Sequence, residues 1–207
     1  MNEKIQKIID IEWEMFQQVD NIGGRADCQD DKETFYIMRR SQYENWSQEM
    51  IGIYFDYLSR CATDGRNLVT EKYARMMAYT DPQYYDKYLR DHLPAVPLSN
   101  YPLIGRIVDQ MMTWEEALAA RYPHLAGSSR PIRSDQDKYG FTSMETYARG
   151  ELETYPRELL LAYLCHIDVL LARGQSMSEN ILSTMTGLYG YDSIEETEKA
   201  GRWTENM

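Results

Sequence analysis

Apolar residues in this chain return every three or four positions, and no stretch alternates them with polar residues at every second position. A helix repeats every 3.6 residues and a strand every two, so this pattern calls for helices packed on helices. Ile5, Ile8, Ile9, Trp13 and Phe16 make the first such stripe, and Asn21, Gly23 and Gly24 stop it. Asp30 with Glu33 reads as a capping box that opens a long helix from about 32 to about 62, broken by Asp64-Gly65. A third helix is expected over about 70–79. Asp81-Pro82 opens a short one that runs to about 92. Pro94 and Pro97 stiffen a connector, a helix follows over about 102–112, and Thr113 with Glu116 reads as the start of another. Residues 123–141 show little periodicity and read as a long loop or lid. Thr142 with Glu145 caps the next helix, Pro156 opens an apolar one that stops at Gly174, and Ser178 and Ser193 each read as caps of short final helices. The expectation is a single all-α domain over residues 1–207, with about eight to ten helices and crossings more irregular than a four-helix bundle.

Charge and residue counts then remove several classes of function. The net charge is -11 and no cluster of Lys and Arg dominates, so a nucleic-acid backbone is not an expected partner. The longest apolar stretch, 159–172, contains His166 and Asp168 and is too short to span a bilayer. The first residues are acidic and amphipathic, unlike a signal peptide, so the expected setting is the cytoplasm. Cys28, Cys61 and Cys165 are odd in number and far apart, and His92, His124 and His166 are dispersed. Neither a disulfide framework nor a zinc site is expected from that spacing. Glu12, Glu145, Glu151 and Glu158 supply carboxylates, but no Glu-x-x-His pair accompanies them, so no metal ligands are assigned. The residues identify no cofactor and no oligomeric state.

The segment Asn21–Trp46 concentrates the remaining chemistry. Two glycines after a helix allow close approach of the backbone to another group, and Arg25, Asp27, Cys28, Gln29, Asp30 and Asp31 follow at once. On the next helix, Phe35, Trp46 and Ile53 share one stripe, and Arg39 and Gln42 fall within it. A buried guanidinium or amide requires partners, supplied either by the preceding loop or by a polar ligand. If by a ligand, Arg25 and Arg39 hold an anionic group, Asn21 and Gln42 orient it, and Trp46 walls the pocket. Cys28 is the candidate nucleophile and His166 its candidate base, although acidic neighbours of Cys28 oppose a thiolate and His166 also suits a core position. Two more polar clusters are candidates to face this segment: Arg66-Asn67 with Glu71, Lys72 and Tyr73, and Tyr147, Arg149, Glu151 and Tyr155. The expected function is a cytoplasmic enzyme or binding protein for a small polar or anionic metabolite. The alternative is a protein-interaction or regulatory module in which Asn21–Trp46 only braces the first two helices.

Asn21-Ile22-Gly23-Gly24-Arg25-Ala26, Cys28-Gln29, Thr34-Phe35, Ile37-Met38-Arg39, Ser41-Gln42 and Trp46 form a block that resembles a bacterial family catalogued only as a domain of unknown function. Gly65-Arg66-Asn67-Leu68 and Glu71-Lys72-Tyr73-Ala74-Arg75-Met76-Met77 are similar to a second block of that family. The resemblance covers most of the chain and implies no activity, cofactor or catalytic residue.

Overall fold

The computed structural model describes residues 2–21, 23–127, 129–139 and 141–200. Ile22 of the first family block, and Ser128 and Gly140 of the 123–141 segment, lie outside the described residues. Eleven α-helical segments and no strand occur among the described residues, with one isolated bridge between Lys138 and Phe141.

Helix α1 (Glu3–Gln17) begins where the Asn2 side chain accepts a hydrogen bond from the Lys4 amide, and it buries Ile5, Ile8, Ile9, Met15 and Phe16. Helix α2 (Lys32–Glu44) starts where the sequence suggests, but its cap is Asp31 rather than Asp30, since the Asp31 carboxylate accepts from the Thr34 amide. The long helix expected over 32–62 is two helices. Asn45 turns its side-chain amide back to the Ser41 carbonyl at 2.8 Å, and Ser47 then caps α3 (Gln48–Thr63) by accepting from Met50. Side-chain bonds to local backbone outcompete helix continuation there.

Asn67 caps α4 (Leu68–Thr80), and Asp81 caps the short α5 (Pro82–Tyr84), which runs on into a π turn, Tyr85–Leu89. Helix α6 (Tyr101–Arg121) passes straight through the expected start at Thr113. That hydroxyl donates to the Asp109 carbonyl at 2.8 Å and caps nothing. The 123–141 segment is not wholly irregular, since α7 (Pro123–Gly127) and a 3-10 turn at Ser134–Gln136 lie within it. Helix α8 (Met144–Leu152) is capped by Ser143, not Thr142, and α10 (Met177–Leu188) by Ser176, not Ser178. Between them runs the apolar α9 (Arg157–Ala172). Ser193 caps α11 (Ile194–Ala200) as expected, accepting from Glu196 at 3.1 Å.

Packing closes these helices into a ring. Helix α10 lies on α2, α2 on α1, α1 on α4, α4 on α8, α8 on α6, and α6 back on α10. Helices α3 and α9 back the ring, α3 against α1 and α9 against both α3 and α6. The main core lies at that back, with Ile8, Ile9, Met50, Leu58, Ile104, Ile107, Leu159 and Leu160 wholly or almost wholly buried.

The tightest joint in the ring is α4 against α8. A Cβ placed on Gly150 would stand 3.0 Å from the Lys72 carbonyl and 2.8 Å from Met76 Cγ. The Met76 side chain can move, but a helix carbonyl cannot do so without shifting α4. Gly150→Ala is therefore expected to cost about 1–3 kcal/mol despite its gain in helix propensity. Urea denaturation checks this, and a variant as stable as the parent would show that the joint has slack.

Candidate functional site

The ring encloses a cavity of about 700 Å³. Its walls are mainly apolar: Phe35 and Met38 come from α2, Met111 and Leu118 from α6, and Ile181, Leu182 and Met185 from α10. Polar groups converge at one end, where Arg39, Gln42, Lys72, Tyr147 and Glu151 line the wall together. Well-formed pockets that combine apolar walls with a few convergent polar groups are the usual form of small-molecule sites.

Those polar groups belong to a buried ionic chain. Arg39 makes a two-pronged bond to Glu12, Nε to Oε2 at 2.8 Å and Nη2 to Oε1 at 2.6 Å. Its Nη1 donates to the Gln42 carbonyl oxygen at 2.9 Å and to Glu151 at 3.2 Å. Lys72 continues the chain, 3.4 Å from Glu151 and 2.7 Å from the Tyr147 hydroxyl. Tyr43 and Tyr54 donate their hydroxyls to Glu12, and Tyr155 donates to Glu151. The Glu12 side chain is 1% exposed and that of Arg39 10%, so these charges persist only because each has partners. Burial opposes ionisation of Glu151, yet Arg39 and Lys72 outweigh it and hold the carboxyl well below its usual range. Burial likewise opposes the Arg39 charge, but Glu12 and Glu151 hold the guanidinium well above its ordinary value. Burial pushes the phenols of Tyr43, Tyr54 and Tyr155 well up, so they act as donors in this chain.

A second carboxyl lines the wall from α6. Glu115 on α6 lines the cavity beside Ser178 on α10, and burial raises it above the usual range while the Ser178 hydroxyl partly offsets this. The two wall carboxyls, Glu115 and Glu151, are thus driven in opposite directions.

The segment Asn21–Trp46 divides into two halves with different roles. In the first half, Gln29 is 1% exposed and holds the loop closed. Its Nε2 donates to the Phe16 carbonyl at 2.9 Å, in the last turn of α1, and to the Val19 carbonyl at 3.1 Å, just beyond it. Its Oε1 accepts from the Ala26 amide and from Asn21 Nδ2. Arg25 binds Asp30, Gln17 and the Gln29 carbonyl, and Gly24 takes φ +88°, the left-handed backbone that suits glycine. Asn21 and Arg25 are engaged in this brace, and neither lines the cavity. The structure does not bring Arg25 together with Arg39.

In the second half, Arg39 and Gln42 reach the cavity wall. Trp46 stands behind that wall, its ring 6.0 Å from Tyr155 and 5.7 Å from Tyr163, both of which line the cavity. Cys28 lines the cavity, but His166 does not. The His166 Nε2 contacts the Asn45 carbonyl at 2.9 Å, on the junction between α2 and α3. The two later polar clusters separate as well. Arg66 pairs with Glu71 at the α3–α4 corner, whereas Lys72, Tyr147, Glu151 and Tyr155 meet Arg39 and Gln42.

Sequence reasoning passed over Glu12, Gln29 and Glu115 as site or brace residues. Glu12 left a signal, because it falls at the centre of the Ile5–Ile8–Ile9–Phe16 stripe where a lone carboxylate is out of place.

A family model described as a protein of unknown function (DUF4125) matches residues 2–199. No curated protein and no solved structure matches the chain. No helix among the described residues is long and apolar enough to cross a membrane.

Proposed function

The chain belongs to DUF4125, a family described as of unknown function, and from that premise we propose that it is a cytoplasmic binding protein or enzyme whose ligand is a small molecule with an apolar body and one polar end. The observation that carries this reading is the cavity of about 700 Å³ with its polar groups gathered at one end. Gln42 supports it further. One of its amide hydrogens goes to Glu151, and the other has no acceptor among the described residues and is free for a ligand. Arg39 then serves mainly to fix Gln42 and Glu151, a role fitted to a side chain whose bonds are nearly all internal. The brace formed by Asn21, Arg25 and Gln29 supports a structural role for the first half of the segment, while the second half supplies wall residues.

A neutral solvatochromic dye tests the reading. The dye is expected to saturate one site per chain with enhanced emission. Ala119→Trp fills the space beside Leu118 and Tyr122 on the α6 wall, and it is expected to weaken the dye by roughly tenfold or more while the melting temperature holds. Absence of dye binding, or binding unchanged by Ala119→Trp in a folded variant, rejects a ligand cavity.

A further inference from the structure

Among the described residues, one cation on the cavity wall has no carboxylate partner. Along the buried chain, Glu12 and Glu151 balance Arg39 and Lys72, two charges against two. Arg130 lies outside that balance. It lines the cavity, is exposed at its edge and has no carboxylate partner among the described residues. Its Nη1 donates to the Thr142 carbonyl at 3.2 Å, and its guanidinium lies over the Tyr147 ring, 5.5 Å from the centroid. Lys72 approaches the same ring at 4.3 Å and donates to its hydroxyl. Both cations thus contact the same Tyr147 ring.

Spare donors gather at this point. The Tyr147 hydroxyl accepts from Lys72, and its own hydrogen has no acceptor among the described residues. Lys72 has three hydrogens and two protein partners, of which Glu151 is distant at 3.4 Å. Arg130 keeps Nε and Nη2 without an acceptor among the described residues. Arg130 and Lys72 both bear on the Tyr147 ring in the cavity wall, and with the phenol they offer an anion donors under a net positive charge. The remaining acidic groups define its shape. Asp31 is taken up as the N-cap of α2, while Glu115 lies beside Ser178 on the α6–α10 side. A second anionic group on the ligand would meet Glu115, whereas Leu118, Ile181, Leu182 and Met185 on that side favour hydrocarbon.

We propose that the cavity selects an amphipathic monocarboxylate, with its carboxylate on Arg130, Tyr147 and Lys72 and its hydrocarbon chain along α6 and α10. The assignment rests on the cavity being a ligand site, as argued above, and it names the class of ligand. No bond is made or broken in this step. The acid binds as its anion.

Displacement of the neutral dye by dodecanoate and by dodecanol separates the two levels of the argument. Both compounds offer the same chain, and only dodecanoate offers the charge. Dodecanoate is expected to displace the dye at a concentration roughly tenfold or more below dodecanol, the worth of one or two charge-assisted hydrogen bonds. Arg130→Gln removes the charge of an exposed side chain, and it is expected to shrink that gap to about twofold without moving dodecanol. Tyr147→Phe is expected to shrink it in the same direction. Equal displacement by the two compounds, or a gap that survives Arg130→Gln, overturns the carboxylate assignment while leaving the cavity standing. A dye that does not bind, or that Ala119→Trp does not weaken, overturns both.

Discussion

Glu12→Ala is expected to lose about 3–5 kcal/mol of folding stability, the cost of leaving a buried charge without its partner. Three groups depend on that carboxylate. Arg39 gives it two hydrogen bonds, and the hydroxyls of Tyr43 and Tyr54 each give it one. Truncation leaves the guanidinium with Glu151 and Gln42 alone and leaves two buried phenols without an acceptor. The Ala side chain is also too small to fill the space, and the backs of Tyr43 and Tyr54 close only partly over it. The surface pair Arg121–Glu179 is just as short, at 2.5 Å, yet water competes for both of its ends. Glu179→Ala is accordingly expected to change little, because geometry alone does not make an ion pair matter. Urea unfolding followed by helical circular dichroism compares the two variants. A loss at Glu12 no larger than the loss at Glu179 would show that Arg39 finds water or another partner.

Gln29→Ala is expected to cost about 2–3 kcal/mol, from buried polar groups that lose their bonds. The Val19 carbonyl loses its side-chain donor and the Phe16 carbonyl keeps only the Val19 amide, while the Ala26 amide and Asn21 side chain lose their acceptor. Gln29→Glu keeps the volume and reverses the donor, placing a carboxylate oxygen against two carbonyls. It is expected to be at least as damaging, which separates hydrogen bonding from packing. Arg25→Ala is expected to cost far less, since that side chain lies in water on the outside of the same loop. Hydrogen exchange of the α1 C-terminus and the loop reads the effect locally. Equal protection in parent and Gln29→Ala would remove the brace from the account.

The helical class and most helix starts were legible because they depend on neighbours in sequence. Asp81, Ser193 and Gly65 act on backbone one to five residues away, and the sequence shows them acting. The failures share a cause. Ser47 and Asn45 split the expected long helix, and Asn45 is held by Thr184 and by the Asn180 carbonyl on α10, partners more than a hundred positions distant. Thr113 looks like a cap in isolation, but α6 runs on because packing on neighbouring helices continues through it, and Ser178 yields the cap of α10 to Ser176 two residues earlier. The site was half legible. Arg39 and Gln42 stood out as polar groups on an apolar stripe, and that physical oddity led to the cavity wall. Arg25 stood out by its loop, yet its partners Gln17 and Asp30 were close enough in sequence to satisfy it. Glu115 and Arg130 could not be found this way. Each is unremarkable on its own element and gains meaning only when α6, α8 and α10 close the ring.

The buried ionic chain also bears on how the molecule assembles. Its members come from positions 12, 39, 72 and 151, so the last carboxylate arrives from a helix far downstream of the other three. A partly folded state containing only the first four helices would sequester two cations against one carboxylate. Such a state is penalised electrostatically, and α8 relieves the penalty only by docking on α4. Closing that long intervening loop costs entropy before the contact is gained. The N-terminal helices therefore make a poor free-standing unit, and the chain is built to fold and unfold in a single cooperative step.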